Sequence, residues 1–254
     1  RYFRFDDELF TNSQEWLEEF CRRVKEEKLD ILFRITGLRV DMISPERLAL
    51  LKGIGCIAIN YGIESGSQAI LDTMKKGVTA EQAQNAIRQT LEAGMQVMAY
   101  IILGYRGETE QTLRQTAEML MHCDLPVQYV SIFYAVALPG TKLYRDMLAS
   151  GLIREEEAYL EQLAVYIEES RPARDYYFVN LSSISFTRLI QWEQILLLLL
   201  RAVQLWGAES LRTRFVKACV LGLPTGGIFR RSIQFTNRAL DKFLRRSPQR
   251  RGWK

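Results

Sequence analysis

Histidine is all but missing from this chain: a single residue, His122, in 254. It falls near the end of a predicted helix and reads as a surface or packing residue, not a ligand. Cysteine is sparse too, and Cys21, Cys56, Cys123 and Cys219 stand far apart with no CxxC or CxxxCxxC spacing. That excludes a disulfide framework and a cysteine-built metal site, and leaves small buried hydrophobes in a reducing, cytoplasmic compartment. Long apolar runs are also lacking. The leucines at 196–200 are bracketed by Glu193 and Arg201, far short of the roughly twenty apolar residues a membrane helix needs, so the stretch reads as a buried helix. No internal repeat or low-complexity tract stands out. The chain opens "RYFRFDDELF", with no initiator methionine and already inside a strand-like run. It reads as the C-terminal portion of a longer protein, whose targeting segments would lie upstream.

What is present is ordinary in bulk. Hydrophobic residues make up 48% and charged residues 25%, the balance of a globular protein. The length suits one large α/β domain or two small ones. Charge, however, is uneven. Residues 226–254 hold nine Lys or Arg and one acid, Asp241, so the tail carries +8 and the remainder −4 of a total of +4. Such a tail reads as a solvated amphipathic helix, with peripheral contact to an anionic membrane surface as its functional alternative; no strong nucleic-acid signal accompanies it.

Residues 1–151 alternate strand and helix signals with short links, which predicts βα units on a parallel sheet. The strands are "YFRF", "ILFRITGLRV", "CIAINYGI", "QVMAYIILG" and "YVSIFYAVA"; the helices include "QEWLEEFCRRVKEE", "PERLALLKGIG", "QAILDTMKK", "TAEQAQNAIRQTLEAG" and "ETEQTLRQTAEMLMHC". Asn12 or Ser13, Ser44 and Thr79 are the expected N-caps, Pro45 sits in a first turn, and Gly77 and Gly94 are the expected stops. The apolar runs are continuous, which predicts strands buried on both faces. From residue 152 the chain turns mainly helical, in "EEEAYLEQLAVYIEES" and "SFTRLIQWEQILLLLLRAVQLWG", around an irregular "RPARDYYFVNLSS".

In a βα barrel the reactive groups gather where strands end. Those positions hold Asp6, Asp7 and Glu8 after the first strand and Glu64 and Ser65 after the third. Gly104, Tyr105, Gly107 and Glu108 follow the fourth, and Pro139, Gly140 and Thr141 the fifth. Carboxylates there can hold an ammonium or a ribose, and glycines let backbone approach a ligand. The same residues also read as helix caps and turn formers, and spacing alone does not decide between the two.

The ordered series "FDDELFTNSQEWLEEFC", "LRVDMISPERLALLKGIGCIAINYGIESGSQAILDTMKKGVT", "AGMQVMAYIILGYRGETEQTL" and "LPGTKLYRDM" resembles the core of radical S-adenosylmethionine (radical SAM) enzymes. Within them it looks most like the branch that often carries an N-terminal cobalamin-binding domain. The resemblance implies an α/β fold: the later strands of a partial (β/α)6 TIM-like barrel over 1–151, then a mostly helical region, 152–254, with the basic tail. It also implies S-adenosylmethionine bound at the strand ends, with Asp6 and Asp7 at its amino group and Glu64 and Ser65 at its ribose. Ile102 to Gly104 would lie beside its adenine, and Arg39 is a further candidate for its carboxylate. Tyr105, Arg106, Tyr134 and Tyr144 lie near the predicted mouth as substrate contacts, with loop packing as their other reading.

The sequence departs from the family in one respect. The CxxxCxxC loop that holds the family's [4Fe–4S] cluster is absent here, and would precede residue 1 with the first barrel strand and a cobalamin domain. The first strand then presents an open sheet edge, an association hazard. The expectation is a radical SAM enzyme as parent, performing cobalamin-dependent methyl transfer or a rearrangement on a small-molecule or lipid-like substrate. A flavodoxin or ferredoxin would serve as electron donor, and this stretch alone would be inactive. The alternative is a truncated or degenerate barrel kept as a binding or assembly module.

Overall fold

The computed structural model describes residues 1–7, 10, 13–169 and 180–222, together with 236, 238, 239 and 242. Glu8, Asn12, the irregular stretch 171–179 and nearly all of the basic tail lie outside the described residues.

Strands and helices alternate through the first half of the chain. They are β1 (Tyr2–Asp6), α1 (Gln14–Glu26), β2 (Leu32–Thr36), α2 (Pro45–Lys52), β3 (Cys56–Glu64), α3 (Gln68–Thr73), α4 (Ala80–Glu92), β4 (Gln96–Leu103), α5 (Glu110–His122) and β5 (Val130–Tyr134). Helices α6 (Lys142–Ala149), α7 (Glu156–Glu169), α8 (Phe186–Trp206) and α9 (Leu211–Gly222) follow. The helix starts obey local chemistry. Ser13, Ser44 and Thr79 accept from backbone N–H groups in the first turns, and Thr79 and Thr109 complete capping boxes.

All strand pairs are parallel and their order is sequential, β1-β2-β3-β4-β5. Sequential parallel strands joined through helices make a sector of a βα barrel, because each crossover returns to the same face of the sheet. The fold is therefore α/β, a partial βα barrel followed by helices.

Two expectations need correction. The second strand stops at Thr36, because Gly37 turns the chain at φ 85 and a single 3₁₀ turn follows at Val40–Met42. Nor are the strands buried on both faces. Along β4, Val97, Ala99, Ile101 and Leu103 are buried while Gln96, Met98, Tyr100 and Ile102 are only half-buried. The helices cover one face, where Ile35, Ile59, Tyr61 and Ile63 join Leu17, Leu48, Ile87, Leu113 and Leu120 in one core. The opposite face is the barrel's inner surface; along β4 its residues stay half-accessible, while Asn60 on β3 is buried.

The leucine run belongs to that same core: Leu196, Leu198, Leu199 and Leu200 on α8 are all buried. No helix among the described residues is long and apolar enough to cross a membrane. A polar knot ties α8 to α5. Arg188 donates to both oxygens of Glu110, at 2.5 and 2.9 Å, and the Trp192 indole N–H donates to Glu110 Oε2 at 2.7 Å. Trp192 is fully buried, so Trp192→Phe removes one hydrogen bond to a charged acceptor and leaves a void where the indole's second ring was. The expected cost is about 3 kcal/mol, a drop of roughly 6–12 °C in the melting temperature followed by circular dichroism. A second, smaller core joins Ala137, Tyr144, Met147, Ile153, Tyr159 and Leu163 around α6 and α7.

Candidate functional site

The C-terminal ends of β1, β2 and β3 bring charged residues together on one rim. At the end of β1, Asp6 pairs with Arg4. Partial burial would raise the Asp6 carboxyl, but hydrogen bonding to Arg4 and the charges of Arg4 and Arg34 outweigh it and hold it below its ordinary value. Past the end of β2, Arg39 grips Asp41 with two parallel bonds of 3.0 and 2.9 Å. The Asp41 carboxyl is lowered chiefly by that contact, against an opposing effect of burial.

Glu64 closes β3 in an unusual backbone state. Its φ is 63, in the left-handed region that a side chain rarely adopts, and the β3–β4 register slips between Gly62 and Glu64. Its carboxylate receives a bond of 2.7 Å from Lys76 Nζ. Gly62 lies directly beneath: a Cβ built there would meet Glu64 Oε1 at 2.5 Å and Lys76 Nζ at 3.1 Å. The missing side chain at Gly62 is what leaves a cradle for the ion pair.

Lys76 and Asp41 were not among the expected site residues. "QAILDTMKK" reads as one helix, yet α3 ends at Thr73 because Lys75 adopts φ 55 and swings the next residue back to the strand end. The doubled lysine before Gly77 was the available signal. Lys76 also contributes to lowering Asp41, so Arg39, Asp41, Lys76 and Glu64 form one alternating run of charge.

Residues 6–120 match the radical SAM superfamily. That stretch is a little under half of the chain. An uncharacterized methyltransferase of Pyrococcus horikoshii is 28% identical over 59% of this chain and 32% of the relative. A putative methylthiotransferase of Methanocaldococcus jannaschii is 35% identical over 43% of this chain and 24% of the relative. The anaerobic magnesium-protoporphyrin IX monomethyl ester cyclase of Rubrivivax gelatinosus is 31% identical over 46% and 21%. The chain thus spans a third or less of the length of these curated relatives. In fold it is similar to the radical S-adenosylmethionine methyltransferase TsrM of Kitasatospora setae, solved with cobalamin and a [4Fe–4S] cluster. There the TM-score is 0.52 at 21% identity, over 60% of this chain and 29% of that one. It is similar also to the cobalamin-dependent enzyme OxsB, with a TM-score of 0.54 at 14% identity, over 96% of this chain and 47% of that one.

The fold places the other expected residues unequally. Ile102 lies on the open face of β4. Gly104, at φ 82, donates its N–H to the Glu108 carboxylate at 2.5 Å. Glu108 is 1% exposed, and burial pushes its carboxyl up to about 7 against the opposing effect of that bond. Ser65 is also buried; its hydroxyl meets Thr116 Oγ1 at 3.1 Å and accepts from the Ser67 N–H. Asp7 is exposed beside Asp6. Tyr105 is half-buried, and Arg106 reaches Asp146 at 3.8 Å.

Two expected contacts sit away from the rim. Tyr134 is buried on the helix-covered face, its hydroxyl donating to Glu193 at 2.9 Å. Tyr144 packs in the second core and donates to Glu156 at 2.7 Å. Hydroxyl partners of this kind come from helices far along the chain, and no local pattern foretells them.

Among the described residues no group of three Cys, His, Asp or Glu is placed to hold a metal ion. Cys21 and Cys56 are buried, and Cys123 and Cys219 half-buried, all as free thiols.

Proposed function

We propose that this chain binds S-adenosylmethionine across the rim of its radical SAM domain and works within a radical SAM enzyme. The observation that carries the reading is the charged rim: carboxylates at the ends of β1 and β3, two strand spacings or about 10 Å apart, with a guanidinium between them. Their polarity fits the ligand. Asp6 and Asp7 meet its ammonium, Glu64 accepts from the ribose hydroxyls, and Arg39 meets its carboxylate while Asp41 holds the guanidinium in place. Lys76 fixes the Glu64 carboxylate over the Gly62 cradle. Ile102 and the turn at Gly104 offer an apolar wall and close backbone for the adenine.

Were S-adenosylmethionine bound on this rim, it would supply a 5′-deoxyadenosyl group for radical chemistry on a substrate held beside it. The described residues do not fit the [4Fe–4S] cluster itself, since they contain no ligand set. The names of relatives support transfer of a methyl group, and the solved structures of TsrM and OxsB, which hold cobalamin, support it as a second cofactor; a rearrangement as the other outcome, and a flavodoxin or ferredoxin as reductant, belong to the proposal alone. The substrate lies over the sheet's open face, with residues 1–151 as the barrel unit and 152–254 as a helical flank.

Calorimetric titration of S-adenosylmethionine into the chain tests the reading. Glu64→Gln keeps shape and removes the charge, and it is expected to weaken binding about tenfold or more. No binding to a folded chain, or identical affinities in the two proteins, would leave the alternative of a barrel kept for assembly.

A further inference from the structure

The open face of the sheet carries side chains that the rim does not use. In register across the strands, Arg4 lies beside Arg34, Asp6 beside Thr36, Thr36 beside Asn60, and Tyr100 beside Ser131. Parallel register puts partners on the same face, so one surface runs from two arginines on β1 and β2 to an aromatic patch on β4 and β5. At the aromatic end Tyr100 and Phe133 meet edge to face at 5.7 Å, Phe133 is 39% exposed, and Met98 lies beside them. Asn60 joins the halves by donating to the Tyr100 hydroxyl at 2.7 Å.

The arginine end is short of acid. Asp6 is engaged by Arg4. Arg34 Nε is shut off from solvent and has no hydrogen-bond partner among the described residues. The Nε finds no acceptor within the fold, and the rest of the half-buried guanidinium is left for a carboxylate or phosphate to meet with charge-assisted bonds. From β2 to β5 is three strand spacings, about 14 Å, room for a ligand with one anionic end and a flat or apolar body.

We propose that this face is the substrate floor and selects an organic anion, its carboxylate or phosphate on Arg34 and its apolar or aromatic body over Met98, Tyr100 and Phe133. This rests on the radical SAM reading above, because it places the substrate beneath the cofactor rim. Arg34 is the specificity-determining residue and Phe133 the supporting contact. Neither belongs to the set assigned to S-adenosylmethionine.

The test uses two fluorescent probes on the whole 254-residue chain: 2-naphthoate, an aromatic carboxylate, and 2-naphthylmethanol, its uncharged counterpart. Naphthoate is expected to bind at least tenfold more tightly than the alcohol. Arg34→Gln should erase that preference, Phe133→Ser should weaken both probes alike, and saturating S-adenosylmethionine should leave naphthoate in place. Arg34→Lys, which keeps the charge but not the fork, should retain part of the preference, and it covers the case in which Arg34→Gln does not fold. Absent naphthoate binding, equal binding of the two probes, or an unchanged preference in folded Arg34 variants would overturn the proposal. Displacement of naphthoate by S-adenosylmethionine, with loss of cofactor affinity in Arg34→Gln, would overturn it too, giving the guanidinium to the cofactor's carboxylate. The Glu64→Gln titration reads the rim separately, so failure of one reading is visible without the other.

Discussion

Gly66→Ala is expected to lower stability by about 3 kcal/mol or more, beyond the usual cost of overpacking. A Cβ at this position would lie 2.7 Å from Thr116 Cα, 2.9 Å from Met119 Cβ and 3.0 Å from the Gln115 carbonyl oxygen. These are atoms of α5 fixed by the helix itself, so no side-chain rotation relieves the overlap. The loop and helix must part, and doing so breaks the bonds from the Gly66 N–H and the Ser65 hydroxyl to Thr116 Oγ1, at 3.0 and 3.1 Å. Thermal denaturation should show a fall of roughly 6–12 °C. Glu64 lies two residues away, so the variant should also bind S-adenosylmethionine more weakly. Gly140→Ala is the comparison: nothing lies within 4 Å of its Cβ and φ is 84, so only the backbone cost of about 1 kcal/mol applies. Similar losses in the two variants would mean that the close approach to α5 is not what Gly66 serves.

Glu108→Gln is expected to abolish a pH dependence of stability. The unfolded chain releases this proton near the ordinary value of 4.5, and the folded protein near 7, because burial disfavours the charge. Between those values the native state holds the proton that the unfolded state has lost, so stability falls as pH rises through the window. Below about 4.5 both states are protonated and nothing is lost; above about 7 the full cost, about 3 kcal/mol, is present. Carboxyls held below their ordinary values, such as Asp41 and Asp146, act in the opposite sense and only at lower pH, which leaves this window to Glu108. Glutamine still accepts from the Gly104 N–H, so the turn keeps its tie while the titration disappears. Urea denaturation at steps from pH 4.5 to 8 provides the check. Parallel stability curves for the two proteins would show that Glu108 ionises without cost.

The tie matters because the turn it holds is also gripped from outside. The Leu181 N–H donates to the Gly104 carbonyl at 3.1 Å, and the Ser183 hydroxyl to the Glu108 carbonyl at 3.3 Å. The segment before α8 therefore positions the loop assigned to the adenine.

The order of elements, the N-caps at Ser13, Ser44 and Thr79 and the strand-end positions of Asp6 and Glu64 were legible in the chain from local chemistry, whereas Arg39 was singled out only through the resemblance. A threonine three residues before a glutamine makes a capping box whatever surrounds it, as Thr79 and Gln82 do. β1, β3 and β4 end where their apolar runs stop, but β2 and β5 end short of theirs.

Other features depended on groups distant in sequence. Continuous apolar runs do not say which face the helices will cover, so the open face with Arg34, Asn60 and Tyr100 emerged only from strand register. The pairing of Lys76 with Glu64 spans 12 residues and required the left-handed turn at Lys75, whose conformation no side-chain pattern announces. Ser65, a ribose candidate by position, is drawn to Thr116, 51 residues away. Local propensity by itself determined what each segment is. Only tertiary packing decided which polar groups are left without a neighbour, because that depends on what the rest of the fold brings within hydrogen-bond reach.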